Sequence, residues 1–378
     1  MKLWKTKSTA ALGLLLLTFT TACGNGGGQP TAQASTDSAA SNKTTATAAP
    51  AASTETASAE TASDAKPAAG EEITVYLNDF DAVIGDMFEK KTGYKLNVVV
   101  GNGAEIMSRV EAEKGNPQWD VLWIDSMPSV NALDQKGQLL QGWKPDNAEK
   151  LKDQFEAQVP EDKAYYPTGA HAAGVLVYNT KEIAEADAPK SWADLTKDVY
   201  KDRIGTADPA IAAPAYPFVA WFFENKGMES GEQYFGDLMK NGMRVYPKNP
   251  QVAQALTSGE VDVAMLQETN AYSLVNGGEP VKIVWPAEGA PGSVRVAAIQ
   301  KDTKHAAVAK EFVNFLLDPQ VQQQLIDEGD ESYFEPSAEG AKTKADREPN
   351  AKLNIADAAW ASEHEAQIKQ WFADQAIQ

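Results

Sequence analysis

The stretch ITVYLNDFDAVIGDMFEKKTGYKLNVVVGNG, residues 73–103, decides the fold. Its first five residues are β-branched, aromatic or aliphatic and read as a strand. Over 81–91, Ile84, Met87 and Phe88 fall on one helical stripe, and Gly93 stands where a glycine ends a helix. Residues 95–100 form a second strand, followed by Gly101-Asn102-Gly103. The alternation continues outward. Ile106, Met107 and Val110 mark an amphipathic helix from Ala104, 119–124 reads as a buried strand, and 127–136 as a helix stopped by Gly137. Strands alternating with helices of this length predict an α/β fold whose sheet is largely parallel and covered on both faces. Ligands of such sheets bind beyond the carboxyl ends of the strands. That rule selects residues 78–80, 101–104 and 125–126.

Further along, strands are expected over 173–178, 204–207, 243–246, 261–265, 281–285 and 294–299. A helix over 214–223 has proline in its first turn, and another lies between 246 and 261. In the helix from Lys304, Val308, Phe312, Phe315 and Leu316 make one apolar stripe. No repeat of solenoid period is visible. Residues 71–378 exceed the usual single-domain size, so two lobes are expected. The chain has 34 Lys+Arg, 53 Asp+Glu and a formal net charge of −19, with only five of the basic and four of the acidic residues before position 71. So acidic a body is a poor partner for nucleic acid, which demands a basic surface.

The amino end has its own logic. Lys2, Lys5 and Lys7 precede an apolar run over 10–19; Thr20-Thr21-Ala22 follow, then Cys23, the only cysteine. This is a secretory signal cut before a cysteine, and it resembles a bacterial lipoprotein signal, with threonine at position 20 where leucine is usual. The resemblance implies a signal peptide over 1–22, lipid on Cys23, and a protein held on the extracytoplasmic face of the cell membrane. The apolar run is short of the ~20 residues that span a bilayer. Residues 24–70, almost wholly Gly, Ala, Thr, Ser, Gln and Pro, cannot offset the entropy of ordering and predict a tether. Its reach, at ~5–6 Å × √n, is roughly 35–40 Å.

Short segments in order carry a family resemblance: 73–76, 88–94 and 120–123 in the first half; 174–180, 191–195, 207–210 and 259–264 in the second; and 309–317 after them. Together they are similar to bacterial extracellular solute-binding proteins, in particular the ferric-ion-binding branch and its relatives, from Ile73 to about Pro336. The resemblance implies a two-lobed, periplasmic-binding-protein-like fold, each lobe a mainly parallel sheet flanked by helices, closing by hinge motion on a ligand in the cleft. It assigns 71–172 and 294–340 to the first lobe, and 173–293 and 341–378, with a tail helix from Ile355, to the second. It also implies a monomer without cofactor that hands a small solute to the membrane permease of an ABC importer.

Ferric relatives supply a histidine after the first strand, a carboxylate after the third, and two adjacent tyrosines. On this sequence those positions are Phe80, Asp125, and Thr269 with Asn270; the nearest tyrosine, Tyr272, is displaced. Of these, only Asp125 suits a hard trivalent cation, so ferric binding stands as the alternative and no metal site is expected. The oxyanion site of those relatives falls on Ala212-Ala213-Pro214, which lacks a hydroxyl donor and one N–H, while Asn249 and Gln267 retain amide donors. Gly103 and Ala104 offer a second anion cradle at a helix start. The carboxylates of Asp79, Asp125 and Glu268, framed by Phe80, Tyr216 and Tyr272, suit an organic cation or zwitterion such as a polyamine, a thiamine-like compound or an aminated phosphonate. Each residue has a plainer reading too: Tyr76 and Trp123 as core, Asp79 as a turn or cap, Asp125 as an N-cap, Glu268 as solvated surface.

Catalysis finds little support. There is no zinc-binding His-Glu-x-x-His helix, no Gly-x-Ser-x-Gly elbow and no Cys–His pair, and His171, His305 and His364 are far apart in sequence. A surface receptor or an enzyme on the same fold remains the second alternative.

Overall fold

The computed structural model describes residues 70–375; the leader, Cys23 and the tether up to residue 69 lie outside the described residues. β1 (Glu72–Leu77) leads into α1 (Asp81–Thr92), which buries Ile84, Met87 and Phe88 and ends on Gly93 at φ 81°, its N–H donating to the Glu89 carbonyl. Only glycine takes that left-handed cap without a Cβ penalty. The chain continues through β2 (Lys95–Val100), α2 (Gly103–Ala112), β3 (Val121–Ile124), α3 (Met127–Gln135), α4 (Asp153–Glu156), β4 (Tyr165–Ala172) and β5 (Val175–Asn179). Next come β6 (Ile204–Ala207), α5 (Ala215–Lys226), α6 (Met228–Lys240), β7 (Arg244–Tyr246), α7 (Asn249–Ser258), β8 (Val263–Leu266), α8 (Glu268–Asn276) and β9 (Val281–Val284). β10 (Ala290–Ile299), α9 (Ala306–Leu316), α10 (Pro319–Glu328), β11 (Glu335–Pro336), β12 (Leu353–Asn354) and α11 (Ala358–Gln375) complete it.

Two sheets result, β11-β4-β10-β3-β1-β2 and β7-β6-β8-β5-β9, with β12 added beside the start of β10. The parallel part of each is three strands, β3-β1-β2 and β7-β6-β8. Apart from the short parallel pair of β12 with β10, the rest pair antiparallel; the chain leaves the first sheet on β4 and comes back on β10, so these two strands run opposite ways. The first core is built on Phe88, which meets Phe312 and Phe315 edge-on at 5.1 and 5.2 Å. In the second, Phe222 stacks on Tyr234 at 5.1 Å and Phe235 meets Phe372 of α11 at 5.0 Å. Such pairs add to area burial.

The tail serves both halves. α11 buries Ala361, Ile368 and Phe372 in the second core, while Glu365 accepts a hydrogen bond from Ser129 of α3 at 2.9 Å. The segment 341–354, expected with the second lobe, reaches the hinge, where Leu353 and Asn354 pair with Ala290 and Pro291.

Candidate functional site

A cavity of about 390 Å3 opens between the carboxyl ends of the two sheets, within the range of small-ligand sites. Asn78 and Asp79 after β1 and the 101–103 turn after β2 line one wall; residues 212–214, Lys248, Asn249, Gln267 and Asn270 line the other, with Glu331 following α10. The walls touch: Ala104 N donates to the Ile211 carbonyl at 3.3 Å. A Cβ on Gly103 would stand 2.7 Å from Ala213 Cα, so only glycine permits this approach.

The floor is built round Arg295, which the sequence reading passed over. A register shift between Arg295 and Val296 interrupts the β4–β10 ladder, and bulges of this kind re-aim a side chain. The guanidinium pairs with Asp79, places Nη2 3.0 Å from Asp125 Oδ2, and gives Nη1 to Asn78 Oδ1 at 3.3 Å. Its carbon lies 5.1 Å from the Phe80 ring centre and 5.3 Å from that of Trp123. Asp125 is fully buried; Oδ2 also lies 3.4 Å from His171 Nε2, but neither of its oxygens has an aligned hydrogen bond. Burial pushes His171 below its usual pKa, with Asp125 pulling the other way, which keeps the imidazole neutral. Glu331 accepts from Gln267 Nε2 at 3.0 Å across the cleft.

Two carboxylates therefore share one guanidinium, and the charge of a third, Glu331, is felt by it. Burial first, and the Asp125 charge in addition, push Asp79 up to about 7 against the pull of Arg295. Burial, then Asp79 and Asp125, raise Glu331 well above the usual carboxylate range. A site that holds carboxyls protonated near neutrality favours an added cation. The facing wall has the opposite character. Lys248 lines it, and the amino ends of α7 and α8 start there at Asn249 and Glu268; helix starts and a lysine attract anions.

Of the residues selected from sequence, Asp79, Gly103, Asn249, Gln267 and Asn270 meet in the cavity. Asp125 and Phe80 sit beneath it, Phe80 stacked on Trp123 at 5.4 Å with a left-handed φ of 65°. Asp79 pairs with Arg295 instead of capping α1, whose N-cap is Phe80 without a side-chain bond. The cradle at Ala104 is occupied: its N–H faces Ile211, and Asn102 and Glu105 cap each other.

Three others face elsewhere. Glu268 is fully buried, binding Arg347 Nε at 2.6 Å and the Ala172 amide at 2.9 Å. Tyr272 stacks on Tyr333 at 4.1 Å and its hydroxyl accepts from Glu348 N at 2.8 Å. Tyr216 donates to the Ala361 carbonyl inside the second core. Of the three only Glu268 held a position matching the family pattern, and the basic partner Arg347 and the ring of Tyr333 come from a distant segment that no local pattern announces. His171, Arg295 and Glu331 were missed for the same reason.

The family model of bacterial extracellular solute-binding proteins matches residues 119–364. A putative 2-aminoethylphosphonate-binding periplasmic protein of Salmonella typhimurium is 26% identical over 254 residues, 66% of this chain and 72% of the relative. The major ferric iron-binding protein of Neisseria meningitidis serogroup A is 26% identical over 272 residues, 69% of this chain and 80% of the relative. Among solved structures, the periplasmic binding protein AfuA from Actinobacillus pleuropneumoniae, with fructose-6-phosphate bound, superposes with a TM-score of 0.72 at 20% identity, covering 82% of this chain and 99% of that one.

Proposed function

The chain belongs to the bacterial extracellular solute-binding proteins, and from that premise we propose that it captures a small amine-bearing solute, an organic cation or a zwitterion of the aminophosphonate type, for an ABC importer. One observation carries the reading: Asp79, Asp125 and Glu331 outnumber the single Arg295 at the cavity floor, with Lys248 on the opposite wall. An ammonium would sit by Asp79 and Glu331, and an oxyanion by Lys248 and the amino ends of α7 and α8. The 2-aminoethylphosphonate named for the Salmonella relative has this bipolar form.

The ferric alternative is less well supported, because the tyrosine hydroxyls nearest the family's iron positions are engaged: Tyr272 with Glu348 N, Tyr333 with Asn276 and Asp346. The protein closes on its solute as a monomer and passes it to a permease. Lipid on Cys23 holds it at the extracytoplasmic face, and among the described residues no helix is long and apolar enough to cross a membrane. Radiolabelled fatty acid incorporated by the cells should appear in the protein and be absent from Cys23→Ser; equal labelling of both removes the anchor. For the solute, native mass spectrometry after gentle purification, followed by titration with 2-aminoethylphosphonate and with ethylphosphonate, is the test. Saturable binding that needs the amine supports the reading, and equal binding of ethylphosphonate contradicts it.

A further inference from the structure

Beneath the cavity lies a seat of the kind that binds organic cations, with aromatic faces on one side and carboxylates on the other. The chain fills it with its own side chain. The Arg295 guanidinium carbon lies 5.1 Å from the Phe80 ring centre and 5.3 Å from that of Trp123, with Asp79 and Asp125 at its nitrogens. Two local departures from regular backbone put it there. The ladder shifts register between Arg295 and Val296, and Phe80 takes φ 65°, a conformation bulky side chains avoid. Strain of that kind persists where surrounding structure enforces it and gathers at ligand clamps; here the Phe80 amide is held by Asp330 Oδ1 at 3.0 Å.

We propose that Arg295 is the specificity-determining residue of the cleft: its guanidinium is a built-in cation that occupies the aromatic–carboxylate seat and limits the cargo to a single ammonium group. This rests on the reading that the cleft captures an amine-bearing solute. With Arg295 in place, the acids lining the cavity are Asp79 and Glu331 at one end and Glu105, whose carboxylate is engaged in the α2 cap, accepting from Asn102 N at 2.8 Å. A second ammonium cannot reach Asp125, which is fully buried behind the guanidinium. If it turns the other way it meets Lys248 and the start of α7, both repulsive to cations. Diamines and longer polyamines are thereby excluded, while a molecule with one ammonium and one oxyanion is accommodated. Arg295 acts through charge and occupancy, as a selector among cargoes.

The test has two independent arms. In the first, Arg295→Ala empties the seat, and methylguanidinium should refill it. At millimolar concentration it should raise the melting temperature of Arg295→Ala saturably and leave the wild type unmoved, whereas methylammonium and sodium chloride should shift neither protein. Absence of any methylguanidinium-specific shift overturns the seat. In the second arm, wild type and Arg295→Met, which keeps an apolar stem over the two rings, are titrated with 2-aminoethylphosphonate and with 1,4-diaminobutane. The wild type should prefer the aminophosphonate, and Arg295→Met should gain at least about tenfold for the diamine, the usual scale of one charge-assisted contact. Unchanged preference in Arg295→Met, or a wild type that prefers the diamine, overturns the selector role. If the wild type binds no amine at all, the amine-capture reading fails, and the methylguanidinium arm still decides whether the seat exists.

Discussion

Glu268 is a fully buried acid and Asp79 a half-buried one, and their partners give them opposite tasks. Glu268 holds Arg347 through both oxygens, and Arg347 is itself 6% exposed. Removing one member of a buried pair strands the other charge and costs about 3–5 kcal/mol. Glu268→Ala is therefore expected to lose stability on that scale in urea denaturation; a variant as stable as the wild type contradicts the assignment. Asp79 holds its proton up to about pH 7 in the folded protein, against about 4 for an unfolded aspartate. Folding thus takes up a proton between those values, so this contribution to stability is complete below about pH 4 and is lost as pH rises through 7. An ammonium ligand needs the ionised form, so its affinity should climb several-fold from pH 6 to 8. Asp79→Asn should bind more weakly and abolish the climb; a retained climb places the titrating group elsewhere.

At the scale of elements, α2 and the turn before α5 touch across the cleft, and the proposed closure on a solute would need that contact. Gly103→Ala places a Cβ where Ala213 Cα stands at 2.7 Å, and backbone cannot yield as a side-chain tip does. Affinity should fall at least about tenfold while the melting temperature of the ligand-free protein stays near the wild type. Undiminished affinity shows that closure does not use this contact. Elements were also where the sequence was most legible. The stripe Ile84, Met87, Phe88 and the cap Gly93 located α1, and β2 and β6 run over the residues expected of them. Those signals are local, set by periodicity and by glycine. β4 was not legible: Tyr165 to Ala172 mixes His171, Thr168 and Gly169 with apolar residues because it is buried on both sides and borders the site. Arg295 was hidden likewise, as its value lies in contacts with residues some 170 to 217 positions away.

For the whole molecule, the division into two sheets follows from two strands, β4 and β10, that pass between them, and from α11, which packs on both. Family resemblance supplied that non-contiguous path; composition and hydropathy carry no trace of it. The bridging tail predicts that cutting the chain before α11 exposes Phe223 and Phe235, which meet Trp371 and Phe372 edge-on. Such a truncation should bind a hydrophobic dye and melt at lower temperature, and an unchanged melt would deny the helix a structural role.

An ammonium entering the cleft should displace protons from Asp79 and Glu331, and isothermal titration calorimetry reads this directly. With 2-aminoethylphosphonate at pH 7, in two buffers of different ionisation heat, one molecule should bind per chain and protons should pass to the buffer. Equal heats in both buffers, or no saturable binding by any amine-bearing solute, contradict it.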